Sequence, residues 1–90
     1  MGEQVKCSIS GLVQGVGYRW FVFRKAGDLH ITGWVRNSPD GSVECLAQGP
    51  RDALESLVNA LRHGPRSAMV QDVSCEWSIP SRPYDTFDIR

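Results

Sequence analysis

Val5, Cys7 and Ile9 alternate with Lys6, Ser8 and Ser10, a period of two that predicts a strand with one buried face. The run ends near Gly11 to Gln14. The spacing then changes, and Val22, Ala26 and Leu29 recur at i, i+4 and i+7 with Phe23 alongside, which predicts an amphipathic helix over Trp20 to Leu29. Ile31 to Asn37 reads as a second strand, and Ser38-Pro39-Asp40-Gly41 as the turn into a third, Ser42 to Gln48. Gly49-Pro50 introduces a second helix, Arg51 to about His63, with Pro50 suited to a first helical position. Leu54, Leu57, Val58 and Leu61 supply its apolar face, and Gly64-Pro65 its stop. Val73, Cys75, Trp77 and Ile79 alternate with Ser74, Glu76 and Ser78 in a fourth strand, and Phe87 and Ile89 suggest a short fifth.

The order β-α-β-β-α-β, with a small extra strand, is the split βαβ arrangement. It predicts an α+β class, a ferredoxin-like sandwich in which two helices cover one face of an antiparallel sheet. The first and third strands then lie together at the centre, with the fourth beyond the first. Ninety residues suit one domain, 1–90, and no repeat or linker interrupts them.

Composition narrows the function. With 41% hydrophobic and 22% charged residues, the chain has globular rather than disordered or fibrous usage. Ten Lys+Arg balance ten Asp+Glu, so a nonspecific nucleic-acid or membrane-surface binder is disfavoured and any anion site must be local. No apolar run approaches the roughly 20 residues of a membrane span, nor does a signal-peptide core open the chain. A soluble cytoplasmic monomer is expected. Cys7, Cys45 and Cys75 show no CxxC spacing and fall in register with apolar positions, so core thiols are expected; pairing of Cys7 with Cys45 or Cys75 is the other possibility.

The segment Gly11-Leu12-Val13-Gln14-Gly15-Val16-Gly17-Tyr18-Arg19 joins a strand to a helix. Its glycines allow close backbone approach to a ligand, and its N–H groups with those of the helix start would cradle an anion. The Arg19 guanidinium offers a planar fork of donors to a phosphate. Gly33-Trp34-Val35-Arg36-Asn37 ends the second strand, and the Asn37 amide holds both a donor and an acceptor able to orient a water.

Together these segments resemble the acylphosphatase family, whose two signatures are matched by GLVQGVGYR at 11–19 and GWVRNSPDGSVECLAQG at 33–49. Gly64-Pro65-Arg66-Ser67-Ala68 and Phe87-Asp88-Ile89-Arg90 extend the similarity over essentially the whole chain, and the family's fold is the one read above. The resemblance implies hydrolysis of an acyl phosphate to a carboxylate and inorganic phosphate, with no metal and no cofactor. It implies that Arg19 and the loop amides of Gln14, Gly15, Val16, Gly17 and Tyr18 bind the phosphate, and that Asn37 positions the attacking water. Tyr18 could also border the substrate entrance. One departure is His30, where the family commonly has Gly; His tolerates a left-handed helix cap at some cost. Arg24, Arg36 and Arg66 are expected at the solvated surface, as are His30 and His63, which have no partners suggesting a metal site.

Two other functions fit the fold less well. A non-catalytic phosphate- or ligand-binding module is possible in principle because fold does not dictate function. An RNA-recognition domain would carry paired aromatics with basic residues on its central strands, whereas Lys6, Ser8, Ser10, Glu44 and Gln48 occupy the outward positions here. An acylphosphatase-like module serving carbamoyl phosphate in a larger maturation enzyme would be expected to continue into zinc-binding segments, so a stand-alone enzyme is favoured.

Overall fold

A computed structural model describes residues 2–90. The alternating segments become strands β1 (Glu3–Leu12), β2 (Thr32–Asn37), β3 (Val43–Gly49), β4 (Met69–Ser78) and β5 (Phe87–Ile89), with helices α1 (Tyr18–Asp28) and α2 (Arg51–His63) between them. They form one sheet in the order β4-β1-β3-β2-β5. Apolar residues of one strand parity meet the apolar stripes of both helices: Val5, Cys7 and Ile9 of β1 and Val43, Cys45 and Ala47 of β3 pack in one cluster with Val22 and Ala26 of α1 and Leu54, Leu57 and Leu61 of α2. Because all of these lie in a single core, both helices cover the same sheet face. The architecture is the expected ferredoxin-like α+β sandwich.

Strands β1 to β4 pair antiparallel, whereas β5 joins β2 in parallel, Gly33 facing Phe87 and Val35 facing Ile89. The sheet is therefore mixed. To reach the far edge from β4, residues 79–86 return across the open face, held by Gln48. Its amide donates to the Arg82 carbonyl at 2.7 Å and accepts from the Tyr84 N–H at 3.0 Å. Gly33 admits no other residue without rearrangement, since at φ 135° a Cβ would collide with the Leu46 carbonyl oxygen of the neighbouring strand.

Strand direction gathers the loops that matter. β1 and β2 both run antiparallel to β3, so their C-terminal ends emerge at the same edge, and Ile9 and Asn37 both face Val43. Parallel pairing brings the end of β5 to that edge too. The loop leading to α1, residue Asn37 and Ile89 thus meet without any long-range side-chain contact having to be invoked.

Several boundaries differ from the sequence pattern. Helix α1 starts two residues before Trp20, because Tyr18 is itself on the buried stripe with Val22 and Ala26. Pro50 is an extended N-cap (ψ 149°) rather than a first helical residue, and its carbonyl accepts the Leu54 N–H at 3.0 Å. Strand β4 begins earlier, at Met69, since it follows β1 through a register shift at Ser10/Gly11. It ends before Ile79, which is 84% exposed rather than part of the apolar face; Pro80 cannot donate to a ladder and pulls the chain away. The three cysteines are free. Cys7 and Cys45 are buried as expected, but Cys75 is only half-buried on the edge strand.

His30 takes the left-handed conformation anticipated for it, φ 57°. It closes α1 in a Schellman motif: His30 N–H donates to the Gly27 carbonyl at 3.2 Å and Ile31 N–H to the Ala26 carbonyl at 2.9 Å. A β-carbon is disfavoured there, and glycine's greater freedom in the unfolded chain offsets part of the relief. We expect His30→Gly to raise stability by about 0.5–1 kcal/mol, read as a higher urea midpoint at unchanged slope; an unaltered or lower midpoint would show that the exposed His30 side chain contributes more than its backbone costs.

Candidate active site

The loop after β1 turns on two left-handed glycines, Gly15 (φ 73°) and Gly17 (φ 78°). Gly17 is the N-cap of α1, so no side chain caps the helix. The first helical bond runs from the Phe21 N–H to the Gly17 carbonyl at 3.0 Å, which leaves the N–H groups of Tyr18, Arg19 and Trp20 without intrahelical partners. The local sequence thereby produces a helix start whose donors and partial positive charge face outward.

A cavity of about 280 Å³ opens at this point, lined by Val13, Gly15, Gly17, Tyr18, Arg19, Trp20, Asn37 and Ile89. Arg19 is its one charged lining residue. In a protein of zero formal charge, the positive potential is therefore local. Nη1 of Arg19 donates to the main-chain oxygen of Arg90 at 3.1 Å, and Arg90 N–H in turn donates to the Val35 carbonyl at 2.8 Å. The end of the β5 segment thus orients the guanidinium while its other donors remain available.

Asn37 contributes the second polar group. Its Oδ1 is buried yet has no hydrogen-bond partner among the described residues. Burying an amide oxygen unpaired is unfavourable by about 1–3 kcal/mol, so an acceptor left in this state beside a cavity is suited to a ligand or water proton. No carboxylate and no histidine is among the lining residues.

Of the residues singled out from sequence, Gly15, Gly17, Tyr18, Arg19 and Asn37 all border this cavity. Gln14 and Val16 do not. The Gln14 side chain turns toward the β2–β3 turn, donating to the Ser38 and Ser42 carbonyls, and Val16 packs toward the core while its carbonyl accepts from Ser67 Oγ at 2.8 Å. The Tyr18 ring is not at an entrance: it is 1% exposed and its hydroxyl donates to the Leu61 carbonyl at 2.7 Å. Only its backbone can serve the cavity. Val13, Trp20 and Ile89 also line the cavity, outside the two sequence motifs' expected site residues. Trp20, 57% exposed and stacked on Phe23 at 5.2 Å, had a signal in being a large aromatic beside Arg19; Ile89 had none, since its place depends on the parallel pairing of β5. Arg24, Arg36 and Arg66 line no part of the cavity, and Arg36 is paired with Glu44 at 2.8 Å.

Comparison with known proteins identifies the family. The acylphosphatase family model matches residues 5–89. The acylphosphatase of Salinibacter ruber is 49% identical over 88 residues, covering 98% of this chain and 93% of that protein. The crystal structure of acylphosphatase from Bacillus subtilis superposes with a TM-score of 0.95 at 40% identity, over 98% of both chains. An acylphosphatase from Coxiella burnetii gives 0.91 at 40% identity, over 99% of this chain and 94% of that one. The chain belongs to the acylphosphatase family and is an enzyme of that hydrolase class.

The buried Tyr18 hydroxyl ties the start of α1 to the end of α2. Leu61 is four residues before Pro65, which has no N–H to offer its carbonyl, so Tyr18 supplies the missing donor. Burial pushes the Tyr18 ionisation far above its usual range, keeping the hydroxyl a donor. Tyr18→Phe is expected to cost about 1–3 kcal/mol in a urea titration, and a loss below about 0.5 kcal/mol would mean that water replaces the hydroxyl.

Proposed function

We propose that this single domain hydrolyses acyl phosphates to a carboxylate and inorganic phosphate at the Arg19–Asn37 cavity. The observation that carries the reading is the convergence of one guanidinium and one unpartnered amide oxygen on the same cavity. Arg19 and the amides of Gly15, Gly17 and Tyr18, the loop residues that border the cavity, hold the phosphoryl group. The guanidinium matches phosphate bidentately, and the helix start adds oriented donors. Asn37 Oδ1 accepts a hydrogen bond from the attacking water and so aims the water's lone pair at phosphorus.

The reaction asks for little else. A carboxylate leaving group has a conjugate acid pKa near ~4, so it departs without a general acid, and phosphoryl transfer through a loose transition state is catalysed chiefly by positioning and charge stabilisation. With no titratable carboxylate or histidine lining the cavity, the water's proton passes to a phosphate oxygen of the substrate. That route needs no metal. The partners are a small acyl phosphate and the phosphate released, with the enzyme acting as a monomer in the cytoplasm and requiring neither nucleic acid nor membrane.

The test is phosphate release from acetyl phosphate by the purified protein, with and without EDTA, beside two variants. By analogy with other cationic clamps on a transferring phosphoryl group, Arg19→Ala should lose at least ~10³ in kcat/KM, or about 4 kcal/mol. Asn37→Ala should lose about 10² to 10³ in kcat, as for one preorganised polar group, with chelator having no effect. A folded Asn37→Ala protein with wild-type turnover would overturn the water-positioning role. A wild-type protein that binds phosphate but releases none would be a binding module instead.

A further inference from the structure

The loop bearing Arg19 and the turn following Asn37 belong to different parts of the chain, and one side chain joins them. Gln14 Nε2 donates to the Ser38 carbonyl at 2.8 Å and to the Ser42 carbonyl at 2.9 Å. A primary amide nitrogen has two hydrogens, and both are used. The turn it grips is closed on itself: Ser38 N–H donates to the Ser42 carbonyl at 2.8 Å, and Gly41 N–H to the Ser38 carbonyl at 3.1 Å. The Asp40 carboxylate further accepts from the Ser42 N–H at 2.9 Å and the Ser42 hydroxyl at 2.6 Å. Gln14 therefore holds both ends of a braced unit.

Asn37 immediately precedes that unit and faces Val43, which immediately follows it. Since the buried Oδ1 of Asn37 has no partner within the described protein, that oxygen is aimed by the backbone that carries it. We propose that Gln14 is a positioning residue for hydrolysis, setting the separation between Asn37 and the Arg19 loop through these two bonds. The inference rests on the Arg19–Asn37 reading above. The residue type follows from the geometry: Glu would place carboxylate oxygen against two carbonyl oxygens, and Asn is one methylene too short to span the same gap.

The experiment compares Gln14→Met, which keeps length without donors, and Gln14→Asn, which keeps the donors, in wild-type and Asn37→Ala backgrounds, with circular dichroism to establish folding. Misplacement of a reacting group by about 1 Å can cost ~10² in rate, so kcat for acetyl phosphate should fall about 10- to 100-fold in Gln14→Met. The inhibition constant of inorganic phosphate should stay within roughly threefold, and the Asn37 side-chain amide resonances in a ¹H–¹⁵N spectrum should shift. In the Asn37→Ala background the same change should cost little further, because the two groups act as a unit. Unchanged kcat in both folded variants would overturn the proposal, as would the same loss in both backgrounds or a loss confined to phosphate affinity. Failure of the underlying reading is separately visible as wild-type turnover in Asn37→Ala alone.

A different observation carries a second proposal. Cys7 faces Cys75 across the β1–β4 pair and Cys45 across the β1–β3 pair, placing three thiols in a row over three strands. Facing residues of antiparallel strands have Cα atoms about 4.5–5.5 Å apart, inside the ~4.4–6.8 Å span of disulfides. The sulfurs of Cys7 and Cys75 are in contact at 2.9 Å, and half-buried Cys75 on the edge strand is the thiol that a small reagent reaches first. We infer that Cys7 and Cys75 form a reversible disulfide when the oxidant is a low-molecular-weight disulfide. The Cys75 thiolate attacks the reagent, breaking its S–S bond, forming a mixed disulfide and releasing one small thiol. Cys7 then gives up its proton and attacks Cys75 Sγ, expelling the second small thiol. Two protein thiols are oxidised while one small disulfide is reduced. Burial pushes the Cys7 thiol far up, so the second step should be slow.

The test incubates the full chain with oxidised glutathione, then counts thiols with Ellman's reagent in denaturant and maps non-reduced peptides by mass spectrometry. One free thiol of the three and a Cys7–Cys75 peptide are expected, with the same bond in Cys45→Ser and none in Cys75→Ser. Three remaining thiols, a stable mixed disulfide on Cys75 alone, or a Cys7–Cys45 peptide would each overturn the inference.

Discussion

The central pairing of β1 with β3 is the constraint on which the rest depends. Its register buries Val5, Cys7 and Ile9 beside Val43, Cys45 and Ala47, and a slip of one residue would turn each set to the opposite face. Because β2 is also antiparallel to β3, the same pairing sends the ends of β1 and β2 to one edge of the sheet. The glycine-bearing loop before α1 and Asn37 meet there as a consequence of strand direction. Core packing and the gathering of the site's loops at one edge thus depend on the same register.

Much of what the loop before α1 offers the cavity is backbone. Two left-handed glycines and an uncapped helix start present N–H groups that no side chain among the described residues caps, and the side chains that would crowd them are directed elsewhere. Tyr18 goes to the core, Val16 packs behind the loop, and Gln14 reaches the neighbouring turn. Residues adjacent in one short loop therefore divide between holding the loop and serving the cavity. A single guanidinium supplies the cavity's charge, so a protein with no net formal charge carries a local positive potential there.

The fold was legible because its signals are local and mutually consistent: period two in four segments, period near 3.6 in two, and Gly or Pro at their ends. The left-handed conformation at His30 could be anticipated for the same reason, as could both ends of α2. Where the reading missed, a tertiary preference prevailed. Tyr18 belongs to α1 because the core accepts its ring, and β4 was displaced toward Met69 because its partner strand and Pro80, rather than its own alternation, set its limits.

By itself, the sequence determined the element order, the layered class, the apolar faces and the two motifs whose resemblance named a family, since each is written in neighbouring residues. Only the tertiary structure decided that β5 runs parallel to β2, that Ile89 borders the cavity, that Arg90 steadies Arg19 and that Gln14 clasps the Asn37 turn. These contacts join residues about two dozen to seventy positions apart. Their geometry is set by strand order and crossover path, which no local periodicity encodes.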